Sequence, residues 1–243
     1  MLRPVSFAYW ALIALTCPVF FVGAVVVFVV TAAFDRRRVL LHLYSSAWAT
    51  FYVAINPFWN VRVTGREHLP WRGPAVLVAN HASLIDILVL FALFRPYKWV
   101  SKVENFKLPF VGWNMRLNGY VPLSRGDRAS VTAMMTRCGE LLEQGSPVLF
   151  FPEGTRAKTA RPEAFKDGAF ELALQHHAPV IPIAVHGTGR ALPKHGMVLR
   201  EHVDCHVEVL APLDPSDHGD VPEIREAARQ RIVAALASAT SSE

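Results

Sequence analysis

Between Pro4 and Phe34 the chain carries no charged side chain, and the run ends abruptly at Asp35 and the triplet Arg36, Arg37 and Arg38. About 30 such residues make a helix of roughly 45 Å, against a hydrocarbon core of about 30 Å. This segment is long enough to span a bilayer, or to enter and turn back at Pro18 or Gly23. A cleaved signal peptide is the competing reading. Its apolar core is normally much shorter, and three arginines directly after the run resemble a stop-transfer flank. The arginine cluster outweighs the lone Arg3, so the positive-inside rule places the rest of the chain on the cytoplasmic side.

A second apolar stretch, residues 39–59, is dense in Leu, Trp, Tyr and Phe and has His42 as its only group titrating near neutrality. That texture suits a helix lying in the membrane interface, and equally a core helix of the domain that follows. The expectation is a two-helix membrane anchor over residues 1–59 and an α/β domain over residues 60–243. The net charge of +5 fits an anionic membrane surface or an acidic substrate. Basic residues are not interleaved with aromatics as a nucleic-acid surface needs, so no nucleic-acid partner is expected. Cys17, Cys138 and Cys205 are far apart among apolar neighbours, which argues for buried free thiols rather than disulfides or a zinc site.

Beyond Pro57, short apolar runs at 61–64, 75–79, 98–101, 120–123, 148–151 and 180–186 read as strands. Residues 128–144 form the clearest amphipathic helix, with Val131, Met134, Met135, Cys138, Leu141 and Leu142 on one stripe and Gly145 as its stop. Residues 202–210 alternate, with Val203, Cys205, Val207 and Val209 on one face and His202, Asp204, His206 and Glu208 on the other. That pattern reads as a half-buried strand, and alternation explains it without a metal. A last helix runs over 222–237. Strands alternating with helices imply a largely parallel sheet flanked by helices, with ligands gathering where strands deliver their C-terminal ends into loops.

Two of those ends carry chemistry. The strand at 75–79 runs into Asn80-His81-Ala82-Ser83-Leu84-Ile85-Asp86. His81 and Asp86 can meet if the histidine sits in the turn and the aspartate in the first turn of the next helix. Asp86 could then hold the imidazole in one tautomer and leave the other nitrogen as a general base. Ser83 to Asp86 equally fits a capping box, with His81 incidental. The strand at 148–151 ends in Phe151-Pro152-Glu153-Gly154-Thr155-Arg156. Gly154 permits a tight turn and Arg156 offers a planar fork for phosphate, or simply pairs with Glu153. Lys158, Arg161 and Lys166 nearby favour an anionic ligand. There is no serine-nucleophile elbow and no P-loop, so activation of a substrate hydroxyl is the simplest chemistry.

Taken in order, His81-x-x-x-x-Asp86, Gly119 to Arg125, Phe151 to Arg156 and Val180-Ile181-Pro182-Ile183 resemble the four motifs of the glycerolipid acyltransferases, most closely the bacterial 1-acyl-glycerol-3-phosphate acyltransferases. The likeness extends from about Val61 to Leu213. It implies that His81 deprotonates the hydroxyl of a lysophospholipid acceptor, that Asp86 orients it, and that the donor is acyl-CoA or acyl-carrier protein. By the same analogy Arg125, Glu153, Gly154, Thr155 and Arg156 bind the glycerol phosphate with help from Lys102, and Pro182 walls the acyl or acceptor pocket. No metal or cofactor is implied. The second motif departs from the usual form at Pro122 and Ser124, which bears on acceptor choice. Acceptors other than lysophosphatidic acid, a lipid hydrolase using the same pair, and a non-catalytic lipid-binding protein are the alternatives.

Overall fold

In a computed structural model, which describes residues 3–157, 162–192, 198–199 and 202–240, each of the seven expected strands forms within two residues of its expected bounds. They are β1 (Trp59–Thr64), β2 (Val76–Ala79), β3 (Lys98–Lys102), β4 (Val121–Leu123), β5 (Val148–Phe150), β6 (Val180–His186) and β7 (Val203–Val209). They hydrogen-bond in the order β1-β7-β6-β2-β5-β3-β4. Every neighbouring pair is parallel except β6 and β7. Pro122 is tolerated because β4 lies at the sheet's edge, where a missing N–H costs no ladder bond.

Strand β2 is buried throughout because both faces of the sheet are covered. Leu77 and Ala79 face one core, shared with Ile181, Ile183, helix α3 (Ile85–Phe91) and Ala191 of the short helix α7 (Thr188–Ala191). Val76 and Val78 face the other, closed by α5 (Arg128–Glu143), α6 (Gly168–Gln175) and α8 (Val221–Thr240). Helix α5 starts where Asp127 accepts the Ala129 N–H at 3.0 Å, and it buries Met134, Cys138, Leu141 and Leu142. The expected alternation of β7 is also present: Val203, Cys205, Val207 and Val209 are buried. All three cysteines are free and buried, and burial pushes the Cys138 and Cys205 thiols up to about 12, which removes them as nucleophiles.

Helix α1 (Arg3–Thr31) is, among the described residues, the one helix long and apolar enough to cross a membrane. Phe7, Leu15, Val19, Val22 and Val29 are each more than half exposed. Helix α2 (Val39–Ala54) differs from an equal second anchor. Its 16 residues are too short to span, and Leu41, His42, Ser45, Trp48, Tyr52 and Val53 are buried. The expected two-helix anchor is therefore corrected to one clearly apolar helix plus a helix half-packed on the domain. Aromatic density was compatible with both, because lipid and protein core solvate an aromatic ring alike. Buried contacts tie α1 down, among them the Tyr9 hydroxyl donating to the Tyr52 carbonyl at 2.8 Å, the Leu199 N–H donating to Ser6 Oγ at 3.0 Å, and Phe20 stacking on Trp48.

Candidate active site

The C-terminal ends of β2 and β5 lie side by side, with Val78 opposite Phe150. The residues that follow each strand therefore meet at one rim of the sheet. His81 stands in the turn after β2 and Asp86 in the first turn of α3. His81 Nδ1 is 2.7 Å from Asp86 Oδ2. That oxygen also accepts the backbone N–H groups of Ala82 at 2.7 Å and Ser83 at 2.9 Å. Ser83 Oγ in turn accepts the Ile85 N–H at 3.3 Å. Asp86 thus reaches back to the Ser83 N–H as in half of a capping box, while its own N–H goes to the Ser83 backbone carbonyl at 3.3 Å, and the same carboxylate oxygen serves the histidine. Asp86 is fully buried while the His81 side chain keeps 13% of its surface. With Nδ1 engaged, Nε2 is the nitrogen left to meet a substrate proton. The imidazole stacks on Phe151, ring centroids 4.2 Å apart.

Glu153 reaches across from the β5 loop. Its Oε1 accepts the His81 backbone N–H at 2.8 Å and its Oε2 accepts the Glu163 N–H at 2.9 Å. Burial raises its carboxyl above the usual range, partly offset by those two hydrogen bonds. The Ala157 N–H donates to the His81 carbonyl at 2.7 Å, so the two loops are laced on both sides of the histidine. On the other flank, Asn80 makes a paired contact with the Val185 backbone, its Nδ2 donating at 3.0 Å and its Oδ1 accepting at 2.8 Å. Sequence reading did not single out Asn80 or Phe151. Their immediate adjacency to His81 and Glu153 was the available signal.

Gly154 adopts φ 71°, and an added Cβ would lie 2.8 Å from Lys166 Nζ. A side chain there is disfavoured first by the backbone conformation. The Lys166 ammonium consequently sits over the Gly154 turn, and exposed Thr155 and half-buried Arg156 follow that glycine in the chain. Lys158 and Arg161 lie outside the described residues. Lys102 ends β3 and pairs with Glu104 at 3.2 Å, both half-exposed. Arg125 follows β4, exposed. These two basic residues share the rim by topology, with no hydrogen bond to His81 or Glu153 among the described residues. Pro182 is buried in β6 opposite Val78, on the same face as Val180 and Ala184, inside the core packed by α8. It lies within the sheet rather than at the rim.

A family model described as acyltransferase matches residues 60–186. A 1-acyl-sn-glycerol-3-phosphate acyltransferase of Chlamydomonas reinhardtii is 38% identical over 237 residues, which cover 97% of this chain and 70% of that protein. A chloroplastic 1-acyl-sn-glycerol-3-phosphate acyltransferase of Arabidopsis thaliana is 39% identical over 181 residues, 74% of this chain. The chain spans 50% of that plant relative's length. Among solved structures, the 1-acyl-sn-glycerophosphate acyltransferase PlsC of Thermotoga maritima has the same fold. Its TM-score is 0.80 over 98% of this chain and 96% of its own, at 23% identity. The chain belongs to the acyltransferase family, and within it to the 1-acyl-sn-glycerol-3-phosphate acyltransferases.

Proposed function

We propose that the chain acylates the free hydroxyl of lysophosphatidic acid to give phosphatidic acid, with His81 as general base and acyl-CoA or acyl-carrier protein as the thioester donor. The observation that carries this reading is the 2.7 Å contact between His81 Nδ1 and the buried Asp86, which fixes the ring and leaves Nε2 at the rim. Nε2 takes the proton as the acceptor oxygen attacks the thioester carbonyl. The tetrahedral intermediate then collapses, the C–S bond breaks, and the leaving sulfur takes the proton back from the imidazolium. Asp86 holds the tautomer and stabilises the imidazolium as it forms. Arg156, with Lys166 over the Gly154 turn, supplies the positive charge for the acceptor's phosphate, and Arg125 and Lys102 extend that charge along the rim. Glu153 acts on this site as a positioning residue, since both its oxygens are spent on backbone N–H groups.

Helix α1 brings the site to the bilayer, where both amphiphilic substrates reside. Its exposed apolar face enters lipid, while α2 packs on the domain and joins α1 to it. Residues 1–59 thus form the anchor and 60–243 the catalytic domain, with Arg36 to Arg38 holding that domain on the cytoplasmic face of the inner membrane.

Mass spectrometry of products from labelled acyl-CoA and lysophosphatidic acid tests the core of this reading. Wild type is expected to give phosphatidic acid, and His81→Ala to lose it by a factor of about 10²–10⁴, the usual weight of a general base. Equal activity in both would remove His81 from the chemistry. Free fatty acid as the main product would point to hydrolysis instead.

A further inference from the structure

We propose that His186, His206 and Glu208 form a zinc site that clamps β6 to β7. These strands pair antiparallel, with His186 directly opposite His206 and Glu208 two residues further along β7 on the same face. The side chains present one donor atom each, all within 4.8 Å of one another. Viewed along β7 alone, the polar face of this strand is an ordinary solvated one. The third ligand comes from another strand, 20 residues away in sequence, and only the fold supplies it.

The side chain of His186 is nine-tenths buried, and its Nε2 makes no hydrogen bond among the described residues. A buried nitrogen left unpaired is costly. It stands 3.6 Å from Glu208 Oε2, too far for a hydrogen bond. Two ligands on a tetrahedral zinc with bonds of 2.0–2.1 Å are separated by about 3.3 Å. The spacing is therefore close to that of two ligands sharing an ion. The Thr64 hydroxyl lies 2.7 Å from His206 Nε2, occupying one ring nitrogen and leaving the other, as outer partners of metal-bound histidines do. Asp204 is engaged by Asn60 at 3.0 Å, so water completes the fourth position. Two histidines and a carboxylate select zinc over the hard cations, which prefer oxygen ligands alone.

Arg62, paired with His206 across β1 and β7, opposes a cation by its charge. The experiment is calorimetric titration of Zn²⁺ into the full-length, untagged protein in detergent, after stripping with a chelator. One ion per chain is expected, with a rise in the melting temperature. His206→Ala and Glu208→Gln should each weaken binding by more than the roughly 10–100-fold that outer partners supply, Thr64→Val by about 10-fold, and Arg62→Ala should tighten it. Glu208→Gln conserves shape and reads the ligand role even if His206→Ala destabilises the strand pair. Absence of binding to wild type, or binding that neither His206→Ala nor Glu208→Gln changes, overturns the proposal.

Discussion

At the scale of single residues, Glu153 separates two mechanisms that its motif alone leaves equivalent. A glutamate that binds the acceptor should govern acceptor KM. A glutamate whose oxygens accept the His81 and Glu163 N–H groups should govern how well His81 is aimed. In Glu153→Gln one of those contacts becomes donor against donor, leaving a buried N–H unsatisfied at a cost of about 1–3 kcal/mol. We expect kcat to fall about 10–100-fold with little change in acceptor KM, and steady-state kinetics at varied lysophosphatidic acid would read it. A rise in KM at constant kcat would return Glu153 to the binding set. Arg156→Lys should behave oppositely, raising acceptor KM about tenfold or more, because a point charge does not reproduce the guanidinium fork. An unchanged KM would remove Arg156 from phosphate recognition. The His81–Asp86 pair was legible from a spacing of five residues at a strand-to-helix junction. The grip of Glu153 on the His81 backbone was not, since it joins residues 72 apart through two loops that only the pairing of β2 with β5 brings together.

At the scale of elements, the strands were legible because each is a short apolar run bounded by turn residues, and β7 because its alternation is strict. Helix α2 was not, and the reason is chemical. Its buried stripe includes His42, Ser45 and Ser46 beside Trp48 and Tyr52, and polar residues packed on a domain are indistinguishable in sequence from an interfacial face. The structure resolves them through partners. His42 Nδ1 lies 2.8 Å from the Tyr120 hydroxyl, and Ser45 accepts from the Asn114 and Asn118 amides at 3.0 and 3.1 Å. If α1 alone supplies the lipid-facing surface, charges on its exposed side should suffice to weaken membrane binding. Leu15 and Val22 are 75% and 62% exposed and lie two turns apart on one face. Leu15→Lys with Val22→Lys places two cations in the hydrocarbon, each costing about 2.5–3.5 kcal/mol at the centre of a span. The double variant is expected to shift from the membrane pellet toward the supernatant in high salt, with circular dichroism unchanged. Full retention in the pellet would assign the anchoring to α2.

At the scale of the whole molecule, the junction between the helical hairpin and the domain concentrates positive charge. Arg37 donates to the Gly145 carbonyl at 2.7 Å, and Arg38 caps the end of helix α4 (Val111–Leu117) through the Leu117 carbonyl. Beneath them Lys98 is 4% exposed, with its ammonium donating to the Asn118 carbonyl at 2.6 Å. Burial first, and then the nearby Arg38, lower the Lys98 pKa from 10.5 to about 7. Between those two values the unfolded chain binds a proton that the folded chain has released. Stability therefore rises with pH across that window, by at most about 1.4 kcal/mol per unit for one group. The buried Cys138 and Cys205 thiols, raised from 9.0 to about 12, work in the opposite sense above about pH 9, and the Tyr97 and Tyr120 hydroxyls, raised by the same burial, join them above about pH 10. The melting temperature of wild type should thus climb between pH 7 and about 8.5, and Lys98→Met should flatten that climb while leaving the protein at least as stable at pH 7. A slope identical in both proteins would mean that Lys98 keeps its proton in the fold, held by the Asn118 carbonyl and by Asp35. The charged corner would then be a fixed basic face rather than one that loses a charge near neutrality.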